Sequence, residues 1–134
     1  PGLILGADME GRRIETITSQ IDLAPTLLSL MGIASEHPMV GRDLVKFPDA
    51  PGRAIMQFND CYAWMDDDFN VTVLRPDQEP LAGKYSRQAG RTQYLAGAPE
   101  ETATRKALAH ALLPLKLYQT QAYGLPDSND QPRL

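Results

Sequence analysis

The chain is poor in the residues from which enzymes most often build metal and nucleophilic centres. Its 134 residues include one cysteine, Cys61, and two histidines, His37 and His110. A single cysteine excludes an intrachain disulfide and a zinc site made of several thiolates. Neither histidine has a cysteine or an acidic residue at metal-ligand spacing, so the sequence predicts no metal site. Cys61 lies in an apolar stretch, and we interpret it as a half-buried packing residue rather than a nucleophile.

Long apolar runs and dense basic runs are also missing. No segment reaches the roughly twenty apolar residues that a helix needs to cross a bilayer. The formal net charge is −4, and the thirteen lysines and arginines are scattered along the chain. Nucleic-acid binders need positive charge concentrated against phosphates, so the composition argues against that class of protein.

The first part of the chain predicts a strand and a short helix. Residues 2–5 form an apolar run that is typical of a buried strand. Asp22 is placed to cap a helix in which Pro25 fits the first turn and Gly32 provides the stop. A stretch rich in proline and glycine follows this helix. We therefore place a domain boundary near residue 50, between parts 1–49 and 50–134.

The second part predicts an antiparallel sheet. Three segments with strand-like composition follow one another with short turns between them, at residues 53–58, 62–65 and 69–74. A hairpin turn is the favoured interpretation of the three aspartates at 66–68, rather than a metal site. Residues 81–87 predict a weaker fourth strand, because a glycine interrupts them. The sheet is thus expected to have three or four strands.

A final helix is predicted from residue 99 towards residue 123. Apolar residues repeat on one face of it, at Ala103, Ala107, Leu108, Ala111, Leu112, Leu115, Tyr118 and Ala122. Pro114 lies inside this pattern and is expected to kink or split the helix. Together the elements predict an α+β fold.

One stretch of the chain carries a specific family resemblance. Residues 19–28 read Ser-Gln-Ile-Asp-Leu-Ala-Pro-Thr-Leu-Leu, and the helix closes on Leu-Met-Gly-Ile. This pattern resembles the segment that follows the catalytic core in sulfatases and in lipoteichoic acid synthase-like phosphoglycerol transferases. Residues 37–44, His-Pro-Met-Val-Gly-Arg-Asp-Leu, resemble the next loop of those proteins. After residue 53 the chain resembles the small C-terminal sheet and closing helix of the phosphoglycerol transferase branch.

The resemblance implies the C-terminal portion of an alkaline-phosphatase-like α/β enzyme. Such a portion would hold an edge strand and a short helix of the large domain, then a small antiparallel sheet packed by a kinked C-terminal helix. In the parent, a threonine or formylglycine nucleophile would act beside a divalent cation (Mn, Mg or Ca), outside the cytoplasm and on a membrane-anchored chain. The Asp-His-Gly motif that supplies metal ligands in this family would lie upstream. No such triplet occurs here, so no catalytic residue and no cofactor are assigned to this segment.

The first residues, Pro-Gly-Leu-Ile-Leu, lack an initiator methionine and look like the middle of a fold. We therefore expect a truncated or processed piece whose partner is the upstream catalytic part of the parent. The strand at 2–5 and the helix after Asp22 would then expose apolar surface and could drive self-association.

Three residues are candidates for the rim of the parent's substrate site: His37, Arg42 and Asp43. They occupy a loop, and loops at the edge of α/β enzymes often line the site. The structural alternative for Arg42 and Asp43 is a local ion pair that fixes the loop. Thr26 is interpreted as structural, because its hydroxyl can bond back to the preceding turn.

Two functions from different classes remain open at this point. The first is a non-catalytic C-terminal segment of an extracytoplasmic phosphoglycerol transferase or sulfatase. The second is an independently folded, non-catalytic module that binds a glycan, an envelope polymer or a partner chain. Tyr62 and Trp64 share one face of a strand and could offer such a module an aromatic platform, although packing under the final helix is the favoured interpretation.

Overall fold

The structure is a computed structural model that describes residues 2–6, 10–34 and 36–124. A 3-10 turn, Gln20–Asp22, precedes the first helix. The regular elements in chain order are α1 Leu23–Leu30, β1 Arg53–Phe58, β2 Cys61–Asp66, β3 Asn70–Arg75, β4 Gln78–Ser86, β5 Arg91–Tyr94 and α2 Glu101–Gln119. No helix among the described residues is both long and apolar enough to cross a bilayer.

Five strands form one antiparallel sheet in the order β1-β2-β3-β4-β5. The predicted α+β class is therefore confirmed, whereas the expected strand count was one or two too low. The missed strand β5 reads Arg-Thr-Gln-Tyr and has no apolar alternation to reveal it. A Cβ atom on Gly83 would lie 2.6 Å from the side chain of Thr92 in β5. The glycine that weakened the prediction of β4 thus allows the β5 side chains to approach β4 closely.

The three aspartates form the predicted hairpin turn between β2 and β3. The Asp66 carboxylate accepts hydrogen bonds from the backbone N–H of Asp68 at 3.0 Å and of Asn70 at 2.9 Å. Such side-chain to backbone bonds are typical of aspartate at turns. Asp67 accepts a 2.8 Å hydrogen bond from the backbone N–H of Gly52. The acidic run therefore has a structural role in holding this turn against the start of β1.

Helix α2 packs on β2 and β3 and runs through Pro114 without a break. The predicted split is wrong, and the predicted kink stays a prediction. The buried stripe also differs from the expected face: Ala107 is buried, while Leu108, Leu112 and Leu115 are exposed. The face that packs on the sheet is turned relative to the predicted face. His110, and not a leucine, lies against Trp64.

The part before the sheet is less regular than predicted. Residues 2–6 form no strand, and Leu3 and Leu5 are exposed. A strand forms only against a partner, and no described residue pairs with this run. Helix α1 ends as predicted at Gly32, whose φ is +69°, and the N–H of Ile33 reaches the carbonyl oxygen of Leu28 at 2.9 Å. This is the hydrogen bonding of a glycine-terminated helix.

The expected exposed apolar surface is present on this first part. Leu23 and Met31 of the α1 region and Ile33 just beyond it are all exposed. Whether this surface binds the rest of a parent chain or a second copy stays a prediction. The boundary near residue 50 also stays a prediction, since hydrogen bonds and ion pairs cross it.

Candidate functional site

The most buried charged group in the described part of the chain is Asp22, whose relative exposure is 1%. The sequence predicted Asp22 as the N-cap of α1; it does occupy that position, but its side chain makes no cap bond to the helix. Its carboxylate instead accepts the backbone N–H of Ser19 at 3.0 Å and that of Arg42 at 2.7 Å. The same carboxylate lies 3.5 Å from the guanidinium of Arg42 and 3.3 Å from that of Arg53. We call Asp22, Arg42 and Arg53 the Asp22 centre.

Arg42 ties three separate segments together. Its guanidinium donates to the carbonyl oxygens of Ile17 at 3.2 Å and Ala50 at 3.3 Å, and it also contacts that of Pro51. Because the guanidinium carries several donors in a rigid fork, it can satisfy several carbonyl groups at once. Arg42 therefore joins the loop before α1, its own loop and the entry to β1.

Arg53 connects the Asp22 centre to the sheet. Its guanidinium donates to the carbonyl oxygen of Val40 at 3.3 Å, and its backbone N–H donates to that of Ile17 at 3.1 Å. Burial lowers the pKa of Arg53, and the Asp22 carboxylate opposes that shift. One carboxylate thus faces two guanidiniums, which leaves an excess of one positive charge. The Nε of Arg42 and one terminal nitrogen of Arg53 are buried without a hydrogen-bond partner.

Asp43 and Thr26 fix the same loop on α1. Burial acts to raise the pKa of Asp43, but hydrogen bonds from Ser29 and from the backbone N–H groups of Lys46 and Val45 together outweigh it and lower that pKa. The Ser29 hydroxyl donates to the carboxylate at 2.6 Å. The Thr26 hydroxyl donates to the carbonyl oxygen of Asp22 at 2.6 Å, which confirms the predicted bond to the preceding turn.

The three rim candidates differ in what surrounds them. Arg42 and Asp43 do not pair with each other. Arg42 pairs with Asp22 of another segment, whereas Asp43 accepts the Ser29 hydroxyl and forms a local ion pair with Lys46 at 3.6 Å. His37 is exposed further back in the loop. Whether any of them lines a substrate site in a larger protein stays a prediction.

Gly41 allows this loop to approach the 3-10 turn. A Cβ atom at this position would lie 1.9 Å from the carbonyl oxygen of Ile21 and 2.6 Å from its carbonyl carbon. Those atoms are backbone and cannot rotate away. The N–H of the next residue, Arg42, reaches the Asp22 carboxylate only because the two segments are this close.

We therefore expect Gly41→Ala to lower the free energy of unfolding by about 1–3 kcal/mol, the range typical of overpacked sites. Urea unfolding of the purified chain measures this. Gly11→Ala is the matched control, since a Cβ atom there would meet nothing within 4 Å. Equal stability of the two variants would show that the loop does not need this close approach.

A cleft of about 510 Å³ lies between the start of β1, the end of β2 and the first half of α2. Its lining includes charged groups of both signs as well as uncharged polar groups, among them Arg53, Lys106, His110, Glu100, Thr102 and Asp68. Trp64, 8% exposed, also contributes to the lining. The indole and the imidazole of His110 stack with centroids 4.3 Å apart and planes 18° apart. The predicted packing of Trp64 under the final helix is thereby confirmed, and one face of its ring is not free for a ligand.

The donor set of the described residues does not fit a divalent cation. Among them no group of three histidine, cysteine or acidic side chains converges as a metal site would require. In the cleft, Asp66 and Asp67 already accept backbone hydrogen bonds in the turn.

His110 should make stability depend on pH. Burial first, and then the positive charge of Arg53, lower the pKa of His110 below its ordinary value. The folded chain thus favours the neutral imidazole. The corresponding stability is present above the unfolded pKa of about 6.5 and is lost as pH falls below that value towards the folded pKa.

We expect the free energy of unfolding to fall with pH below about 6.5, and we expect this fall to be smaller in His110→Gln. Urea titrations between neutral and mildly acidic pH measure it. His37→Gln, at an exposed loop position, is the control and should retain the wild-type profile. A His110→Gln profile that matches wild type would refute the proposed role of this imidazole.

One solved structure identifies the kind of fold to which the chain is similar. The chain is similar to a crystal structure of a protein in the alkaline phosphatase superfamily from Vibrio parahaemolyticus, with a TM-score of 0.81 and 33% sequence identity. The match covers 91% of this chain and 29% of that one. The fold is therefore that of a fragment of an alkaline-phosphatase-like protein, and the chain spans less than a third of the relative's length. No protein-family model matches the chain.

Sequence reasoning missed the Asp22 centre and the pairing of Trp64 with His110. In the sequence, Asp22 is an ordinary helix-capping residue, and Arg53 lies 31 positions later at the start of a strand. Nothing local links the two. The residues 19–28 that carried the family resemblance include Asp22 and could have indicated a structural role beyond capping.

Proposed function

We propose that this chain is the C-terminal part of an extracytoplasmic, metal-dependent phosphoglycerol transferase or sulfatase of the alkaline phosphatase superfamily. The observation that supports this most strongly is the fold similarity to a segment of a much longer superfamily protein, at 33% identity. The motif at residues 19–28 supports the narrower assignment to the sulfatase and phosphoglycerol transferase group. The resemblance after residue 53 favours the phosphoglycerol transferase branch.

In this proposal the segment performs no chemistry itself. Transfer of a phosphoryl or sulfuryl group needs a positioned nucleophile and concentrated positive charge against the developing negative charge. The Thr26 hydroxyl is buried, donates to Asp22 and accepts the backbone N–H of Leu44 at 3.1 Å. The guanidiniums of Arg42 and Arg53 are held by the Asp22 carboxylate and by backbone carbonyl groups. These groups support the fold of the segment.

The proposed role of the segment is to complete the large domain and to attach the small sheet to it. The Asp22 centre joins the α1 region to β1 through three residues. The upstream catalytic part would supply the nucleophile and would hold the divalent cation (Mn, Mg or Ca). The parent would act at a phosphoglycerol or sulfate ester outside the cytoplasm, anchored by membrane spans of its own.

Activity assays on the complete gene product and on the 134-residue chain test this proposal. Both are stripped of metal, supplied with Mn²⁺ or Mg²⁺, and assayed with p-nitrophenyl sulfate and a p-nitrophenyl phosphodiester. We expect metal-dependent turnover by the complete product and none above a matched blank by the short chain.

Turnover by the short chain would contradict the proposal, and so would a complete product that is inactive on both ester classes. If the complete product were inactive and the short chain bound an envelope glycan saturably, the chain would instead be a binding module. The gene sequence upstream adds a direct check. An upstream Asp-His-Gly motif and a nucleophilic threonine or formylglycine precursor are expected there.

A further inference from the structure

The sheet carries a continuous apolar row on the face opposite α2. The strand register places Met56 opposite Ala63, Ala63 opposite Val73, and Val73 opposite Leu81. Directly opposed residues of antiparallel strands point to the same face. These four side chains therefore form one row from β1 to β4, which we call the Met56 row.

Helix α2 covers the other face. Trp64 follows Ala63 in β2, and successive side chains of a strand point to opposite faces. Since Trp64 stacks on His110 of α2, the Met56 row points away from that helix. The four residues of the row therefore do not belong to the core beneath α2.

The Met56 row is open to solvent at its β1 end. Met56 is 42% exposed, and Phe58, two residues along on the same face, is 79% exposed. Phe58 lies opposite Cys61, so the apolar surface continues across the first hairpin. A contiguous exposed apolar surface marks a site of interaction.

We propose that the Met56 row packs against the catalytic part of the same parent chain, and this inference rests on the proposed function. The superfamily protein that this chain resembles has more than two thirds of its length outside the match. A covering element in the same chain is tethered, and tethering gives effective concentrations of about millimolar, which favours it over a free second copy. The row contains no charged side chain, so its complement is an apolar protein surface.

Cysteine labelling tests this face. M56C and L112C are made in a C61S background, both in the complete gene product and in the 134-residue chain. Their sites are matched, since Met56 is 42% and Leu112 49% exposed in the short chain. Each protein is reacted with a small maleimide, and labelling of the two peptides is followed by mass spectrometry, so other cysteines of the parent do not interfere.

In the short chain we expect both sites to label at similar rates. In the complete product we expect M56C to label about tenfold more slowly than in the short chain, because burial confines reaction to rare openings. Equal rates for M56C in the two proteins would overturn the inference. Equal slowing of M56C and L112C would also overturn it, since the effect would then not belong to this face.

The outcomes separate this inference from the proposed function. If the complete product is an active metal-dependent enzyme but M56C stays reactive, only the inference about this face fails. If the gene encodes no alkaline-phosphatase-like part upstream, the proposed function fails and the inference fails with it. If labelling of M56C in the short chain became slower as the protein concentration rose, the face would be assigned to contact with a second copy. That result would contradict the inference.

Discussion

Replacing Asp22 by asparagine is expected to lower the free energy of unfolding by about 3–5 kcal/mol, the cost typical of breaking a buried ion pair by removing one partner. The amide has nearly the same size, so packing is retained. The two guanidiniums of Arg42 and Arg53 would then lie close together with no negative charge between them. In addition, the amide nitrogen would replace one carboxylate oxygen. Its N–H groups would then face the backbone N–H of Ser19 or of Arg42, both of which are donors.

Urea unfolding of the 134-residue chain measures this effect. Asp49→Asn, which removes an exposed carboxylate in the same part of the chain, is the matched control and should change stability by about 0.5 kcal/mol or less. If Asp22→Asn were no more destabilising than Asp49→Asn, the Asp22 centre would not join the two parts of the chain. A further check is Arg53→Met, which removes one of the two competing cations. It should cost less than Asp22→Asn, because Arg42 then keeps a full partner.

Replacing Trp64 by alanine should lower the free energy of unfolding by a similar amount. Trp64 is one of few large apolar side chains buried among the described residues, and it provides the surface on which α2 lies. Removal of a buried tryptophan side chain typically costs about 3–5 kcal/mol, since it loses apolar burial and leaves a cavity. The stacking contact with His110 adds about 0.5–1.5 kcal/mol to such a pair.

The consequence for α2 can be followed separately from global stability. Hydrogen exchange of the α2 amides should become faster in Trp64→Ala, because the helix loses its main contact with β2. Leu112→Ala, at an exposed position of the same helix, is the control and should leave exchange close to wild type. Unchanged α2 protection in Trp64→Ala would show that other contacts hold the helix.

The elements that were predicted correctly are those with local causes. The hairpin strands follow from alternating side chains and from turn residues such as the aspartates at 66–68, which bond to their own neighbours. The end of α1 follows from Gly32, whose left-handed backbone needs no distant partner. In these cases the residues on which the prediction is based also form the contacts that stabilise the element.

The features that were missed depend on distant partners. The Asp22 side chain makes no cap bond to α1, because its carboxylate accepts the N–H of Ser19 in the 3-10 turn and faces the guanidiniums of Arg42 and Arg53. The apolar face of α2 was predicted only in part: Ala107 is buried as expected, whereas Leu108, Leu112 and Leu115 are exposed, because the helix packs with His110 on Trp64. The run at residues 2–5 is apolar enough for a strand but has no partner strand among the described residues.

The candidate site shows the same division. His37, Arg42 and Asp43 were selected because they lie in a loop of a recognisable segment, and the structure gives the last two structural partners on α1 and the 3-10 turn. The Met56 row could not be selected from the sequence alone, because its four residues come from four strands whose register had to be known.

The most direct test of the central claim is the location of the metal in the complete gene product. Crystals grown with Mn²⁺ would reveal the cation by its anomalous scattering. The proposal predicts a cation whose ligands all come from the upstream part, with none from the 134 residues described by this sequence. A Mn²⁺ ion held by three or more side chains of this chain, next to one of its hydroxyl groups, would contradict it.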